Sequence, residues 1–186
     1  LVFDEVKTGL TAGPQGAAQR RGVKPDLIAI AKSIGGGIPV AAFGGKREYM
    51  EVVVNGKHSH LGTFNGHYLA MAGIRATDRI CTPEALKKSE DLNRDALGKI
   101  AEIINEYEIP AHTVGFGVKG CITWSASPVR NYRDYKATDF NIAELSFFWS
   151  LNRNVMTPPG LDEQWLISLA HGQREIDIIV GDFLEF

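Results

Sequence analysis

The chain has 186 residues, 44% of them hydrophobic and 23% charged, which is the composition of an ordinary globular protein and excludes disorder. Its apolar runs are too short to span a bilayer, and 20 Lys and Arg against 22 Asp and Glu (net charge −2) leave no basic excess to attract nucleic acid. The length suits one domain, or one with a small appendage.

The chain opens at Leu1 in the run Leu1-Val2-Phe3, with no charged leader or cleavage pattern, as though cut from something longer. Residues 1–6 read as a short strand ended by Thr8-Gly9, and residues 15–21 can form about two helical turns. Residues 27–31 and 40–43 are further short apolar runs. Without clean alternation they suggest strands of an α/β sheet covered on both faces. Residues 65–80 predict a helix with a face of small and aliphatic side chains. Thr82-Pro83-Glu84 is a strong helix start, combining a hydroxyl cap, a first-turn proline and an acid. That helix runs to about Tyr107, with Leu97, Ile100, Ile104 and Tyr107 as its apolar stripe. Glycines 115, 117 and 120 mark bent strands over 113–125. Residues 139–152 predict a helix, 165–170 a strand and 174–186 a closing helix. The boundary near Thr82 gives two domains, 1–81 and 82–186.

Three local patterns bear on chemistry. In Phe3-Asp4-Glu5-Val6, strand alternation puts Asp4 and Val6 on one face and Glu5 on the other. An acid beside a branched aliphatic can hold a flat heterocycle, although an acid ending a strand also serves turns and ion pairs. In Ala31-Lys32-Ser33-Ile34-Gly35-Gly36-Gly37-Ile38-Pro39, a lysine ends an apolar run ahead of three glycines. It can be a surface lysine before a flexible loop, or a desolvated amine acting as a nucleophile while the glycines admit a bound group. Neither a dinucleotide fingerprint nor a Walker loop is matched. In Gly62-Thr63-Phe64-Asn65-Gly66, Thr63 can cradle a phosphate or simply cap a helix. His58 and His60 lack a supporting ligand array, so no metal is expected. Trp124, Trp149 and Trp165 are expected in the core or an interface. Cys81 and Cys121 form no disulfide framework, pointing to a reducing compartment and a cytoplasmic location.

Together, Asp4-Glu5-Val6 with Thr8-Gly9, Lys32 with its glycine loop, and Gly62-Thr63-Phe64 with Gly66 resemble the class III (omega) aminotransferases among the fold-type I pyridoxal-phosphate enzymes. The order and approximate spacing of Asp4, Lys32 and Thr63 also match, and the resemblance extends over the whole chain. Gly35 to Pro39 and the later Ser168-Leu169-Ala170-His171 are similar to the branch holding glutamate-1-semialdehyde aminomutase and beta-amino-acid aminotransferases. The resemblance implies the C-terminal part of an α/β pyridoxal-phosphate transferase fold, a partial, mostly parallel sheet with helices, plus a small α+β domain. It implies that Lys32 forms a Schiff base with pyridoxal 5′-phosphate and that Asp4 pairs with the pyridinium nitrogen. Val6 would stack on the ring, and Thr63 would bind the phosphate of the neighbouring subunit's cofactor in a homodimer. The implied reaction passes an amino group between an amino acid or amine and a carbonyl acceptor. An aminomutase, or a truncated fragment without activity, is the alternative. Lys7 departs from the usual uncharged side chain. The family's upstream half, with its glycine-serine phosphate turn, is absent from these residues. No arginine lies between residues 160 and 169 to meet a substrate carboxylate, which leaves Arg153 and Arg174 as candidates by proximity alone.

Overall fold

The computed structural model describes residues 1–158 and 164–186, and divides into units at 1–86 and 87–186. The first unit is built on strands β1 (Val2–Glu5), β2 (Leu27–Ala31) and β3 (Ala41–Gly45), in the order β1-β2-β3. β1 and β2 are parallel, with Asp4 opposite Ala29 and Glu5 opposite Ile30. β3 returns antiparallel to β2, with Ala29 opposite Phe43 and Ala31 opposite Ala41. Helix α1 (Gly16–Arg20) lies between the parallel strands, as a crossover requires. A 3₁₀ turn, Lys32–Gly35, follows β2 directly.

Helix α2 (Arg47–Val54) has no counterpart in the expected elements; it carries no buried residue, and its Val52-Val53-Val54 run has strand-like propensity. Helix α3 (Tyr68–Ile80) begins three residues later than expected. The intervening residues turn instead, with the Asn65 N–H donating to the Gly62 carbonyl at 3.0 Å and Gly66 at φ 69°.

Helix α4 (Pro83–Glu106) starts as its cap predicts, with the Ala85 N–H donating to Thr82 Oγ1 at 3.2 Å. In the second unit its buried face is Asn93, Ala96, Ile100 and Ile104, whereas Tyr107 is 61% exposed. Strands β4 (His112–Phe116) and β5 (Lys119–Thr123) form a hairpin through Gly117-Val118, with Gly117 at φ 64° as a glycine-first two-residue loop demands. After α5 (Tyr132–Tyr135), helix α6 (Phe140–Asn152) is capped by Asp139, whose carboxylate accepts from the Asn141 and Ile142 N–H groups at 3.0 and 3.2 Å. Strand β6 covers only Trp165–Leu166, because Ser168 to His171 turns, the Ser168 N–H donating to His171 Nδ1 at 2.8 Å. Helix α7 (Gln173–Glu185) buries Ile176 and Phe183, the latter in a cluster with Ile100, Ile104 and Trp124. No helix among the described residues is long and apolar enough to cross a membrane.

One polar side chain ties this unit together. Asn93, fully buried on α4, donates from Nδ2 to the Gly117 carbonyl at 3.0 Å and the Lys119 carbonyl at 2.7 Å, and its Oδ1 accepts from Trp165 Nε1 at 2.9 Å. All its hydrogen-bonding atoms are used, and helix, hairpin and β6 meet there. Gly120 lies beneath the same indole, where a Cβ would come within 2.6 Å of the ring. Asn93→Ala removes the donor to two carbonyls and the acceptor of an indole N–H, so a loss of about 2–3 kcal/mol is expected in urea unfolding.

Candidate functional site

The two adjacent acids of β1 have opposite fates. Asp4 is exposed, and its Oδ1 accepts the Val6 N–H at 3.0 Å, a local turn that fixes the carboxylate where the strand ends. Glu5, 1% exposed, points to the covered face. It accepts the Ala17 and Ala18 N–H groups at 2.9 and 2.7 Å and the Thr8 hydroxyl, so it satisfies the open N-terminus of α1. Gly16 makes room for it, since a Cβ there would fall 2.6 Å from Glu5 Oε2. Burial alone would raise the Glu5 pKa, but the bonds from Thr8, Ala17 and Ala18 outweigh it and hold the carboxyl below its ordinary value.

Lys32 stands immediately beyond the carboxyl end of β2, exposed, and Asp4 stands near the carboxyl end of β1. Since the strands are parallel, both residues lie toward one edge of the sheet, where ligands of open α/β sheets bind. Plain alternation would give Lys32 the Glu5 face. The strand stops at Ala31, however, and Lys32 has φ 53°. A left-handed backbone at a residue with a side chain costs of order 1–3 kcal/mol and clusters at functional sites. On the Asp4 face the register brings Ala29 directly beside Asp4, with Ala31 two residues further on. These methyls leave the sheet surface low between the acid and the strand end.

The glycine loop also meets a helix. Gly35 and Gly36 approach α3: a Cβ on Gly36 would lie 2.6 Å from Thr77 Oγ1, and one on Gly73 would lie 2.7 Å from the Gly35 carbonyl oxygen. Among the described residues, Gly37 alone of the three has nothing within 4 Å of an added Cβ. Thr63 is exposed in the turn before α3 and does not cap it, since the cap position is His67 with no side-chain bond. Val6 is half-buried after β1. His60 packs edge-on against Phe43 with ring centroids 4.9 Å apart.

Arg153 is engaged within its own unit, by Asp182 at 3.0 Å, by Glu185, and over the Trp149 ring at 5.3 Å. Arg174 is exposed on α7, and residues 160–163 of the arginine-free stretch lie outside the described residues. The sequence reading missed the role of Glu5. Its one available signal was the strand alternation that turns it away from Asp4.

Residues 1–131 match the family described as aminotransferase class-III. The chain is 36% identical over 180 residues to a glutamate-1-semialdehyde 2,1-aminomutase 2 of Brevibacillus brevis, covering 95% of this chain and 42% of that relative. Among solved structures, a beta-phenylalanine aminotransferase from Variovorax paradoxus is similar over 100% of this chain and 43% of its own, with TM-score 0.90 and 29% identity. An omega-transaminase from Sphaerobacter thermophilus gives TM-score 0.88 and 27% identity over the same shares. The chain thus spans about 42% of the length of the curated relatives it matches.

Because the Glu5 pKa is depressed by folding, its contribution to stability is present above the ordinary glutamate range and fades as pH falls through the folded value. Glu5→Gln is expected to cost about 1–3 kcal/mol at neutral pH and to flatten the acid limb of a urea-unfolding series.

Proposed function

The chain belongs to the class-III aminotransferase family, and from that premise we propose that it carries the cofactor lysine and ring-binding acid of a pyridoxal-phosphate-dependent aminotransferase. Residues 1–81 would be the C-terminal part of the large cofactor-binding domain, and residues 82–186 the small domain. The observation that carries this reading is the left-handed Lys32 at the end of β2, parallel to a β1 that ends in an exposed Asp4.

The donor set fits the cofactor. An amine suits an aldehyde, a carboxylate suits a ring nitrogen, a branched aliphatic suits a ring face and a hydroxyl suits a phosphate. The low surface at Ala29 and Ala31 supports a flat ring beside Asp4. When bound, pyridoxal phosphate supplies an electron sink for bond breaking at the amine-bearing carbon. Lys32 would hold the aldehyde carbon through Nζ and move a proton at that nitrogen. The Asp4 carboxylate would accept a hydrogen bond from the ring nitrogen and keep it protonated. Val6 would pack against the ring.

Thr63 would donate its hydroxyl to the phosphate of a neighbouring subunit's cofactor. Support for a second copy comes from the segment around it, where Leu61, Phe64, Tyr68 and Leu69 are all exposed, an apolar patch of the kind that marks a contact surface. A reducing, cytoplasmic setting fits the two free thiols, Cys81 and Cys121, whose pKa values burial raises. The substrates would be an amino acid or amine donor and a carbonyl acceptor. A second reading, an aminomutase that moves the amino group within one molecule, is favoured by the name of the 36%-identical relative. Conversion of glutamate-1-semialdehyde without added acceptor distinguishes the two.

Pyridoxal phosphate added to the protein is expected to produce the absorbance band of a lysine-attached cofactor, and Lys32→Ala to abolish it. A band that survives would assign the attachment to another lysine, and no band with the native chain would favour an inactive fragment. Asp4→Asn should keep the band while lowering amino transfer by on the order of a hundredfold. Thr63→Ala should weaken cofactor affinity roughly tenfold in an equilibrium titration.

A further inference from the structure

The left-handed backbone of Lys32 has to be held by something, and the turn supplies backbone bonds only downstream of it, from the Gly36 N–H to the Ser33 carbonyl at 3.3 Å and from the Ile38 N–H to the Gly35 carbonyl at 3.1 Å. Its N-terminal cap residue, Ala31, offers no side-chain bond, and Ser33 Oγ is buried without a hydrogen-bond partner among the described residues. What closes on the turn is α3. A Cβ at Gly73 would sit 2.7 Å from the Gly35 carbonyl oxygen and 3.2 Å from Ile38 Cγ1, so both ends of the glycine loop meet the helix at that one position. One helical turn further on, Thr77 Oγ1 touches the place a Gly36 side chain would occupy. Helix and loop are therefore in close contact at Gly35 and Gly36, three and four residues beyond Lys32.

We infer that Gly73 and Thr77 of α3 are positioning residues for Lys32, bracing the Lys32–Gly35 turn so that the lysine backbone stays left-handed and its amine is presented at the sheet edge. This rests on the reading of Lys32 as the cofactor lysine. A methyl group at Gly73 meets a backbone carbonyl, which cannot swing aside as a side chain could. The loop must move as a body, and the open space at Gly37 gives it somewhere to go. Lys32 is then released from the conformation the brace imposes. A displacement of about 1 Å in a reacting group suffices for a large loss of rate.

The test uses the full-length protein with carbon-13 and nitrogen-15 labelled lysine, the Lys32 signals being identified by their disappearance in Lys32→Arg. The Lys32 carbon shifts read the sign of its φ without any cofactor. The rate of cofactor attachment is read separately, by borohydride trapping and peptide mass. Gly73→Ala is expected to lose the left-handed signature and to slow attachment about tenfold. Thr77→Ala, which favours the helix and removes only the contact with Gly36, should shift the signals the same way and slow attachment roughly threefold. Gly98→Ala, in α4 with nothing near its added methyl, should change neither. If Gly73→Ala does not fold, Thr77→Ala decides alone. Native shifts and native attachment rates in the folded α3 variants overturn the inference, as does an equal effect in Gly98→Ala. Should the native lysine take up no pyridoxal phosphate, the proposed function falls, while the carbon shifts still decide whether α3 sets the Lys32 backbone.

Discussion

Parallel pairing of β1 with β2 is the constraint on which the site depends. Parallel strands finish at the same edge, so the register Asp4 to Ala29 brings an acid and a lysine from distant points of the sequence to one end of the sheet. A slip of one residue would turn Asp4 onto the covered face. The register is pinned on both sides. At the opening end, the Asp26 and Leu27 N–H groups donate to the Leu1 carbonyl at 2.8 and 3.1 Å, and Gly45 at the end of β3 packs against the Asp26 carbonyl, where a side chain would not fit. At the closing end, Glu5 locks β1 to the N-terminus of α1, and the Gly9 N–H returns to the Glu5 carbonyl at 2.8 Å.

Two consecutive carboxylates therefore meet opposite surroundings by strand alternation alone. Glu5 loses water but gains three donors, two of them helix N-terminal amides, and stays ionised inside the fold. Asp4 keeps its contact with solvent, with one oxygen committed to a local turn. A buried acid satisfied in this way is a fixed part of the scaffold. The exposed acid beside it is the one a ligand can reach.

The motif residues stand out in the sequence because their pattern is local: a lysine at a strand end, an acid two before a branched aliphatic, a threonine among turn glycines. The short strands and the Thr82 cap were legible for the same reason. What escaped depends on partners far along the chain. Asn93 lies on the buried face of α4 because Gly117, Lys119 and Trp165 satisfy it, and no periodicity announces that. Tyr107, which the spacing put in the core, lies beyond the last turn of α4 and is exposed. The glycine loop was read as room for a bound group; Gly36 also makes room for Thr77 of α3 and Gly35 for the Val40 side chain, contacts visible only once those residues are placed against it.

Three residues other than glycine have a left-handed backbone among the described residues: Lys32, Glu108 and Asn154. The last two have an ordinary explanation. Glu108 follows α4, where the Ile109 N–H reaches the Ile104 carbonyl at 2.9 Å and the Glu108 N–H the Asn105 carbonyl at 3.4 Å. Asn154 follows α6, where the Val155 N–H reaches the Ser150 carbonyl at 2.8 Å and the Asn154 N–H the Leu151 carbonyl at 3.1 Å. Both are the paired bonds of a helix C-terminus, which rewards a left-handed residue by satisfying open carbonyls. Lys32 opens its turn rather than ending a helix, so it receives no such compensation. The loop that follows it meets α3 at Gly73 and Thr77, and Lys32 is the lysine we propose for cofactor attachment. A strained lysine backbone, followed by a loop fitted to a helix at glycine distance, supports the role proposed for it, since such strain clusters at functional sites.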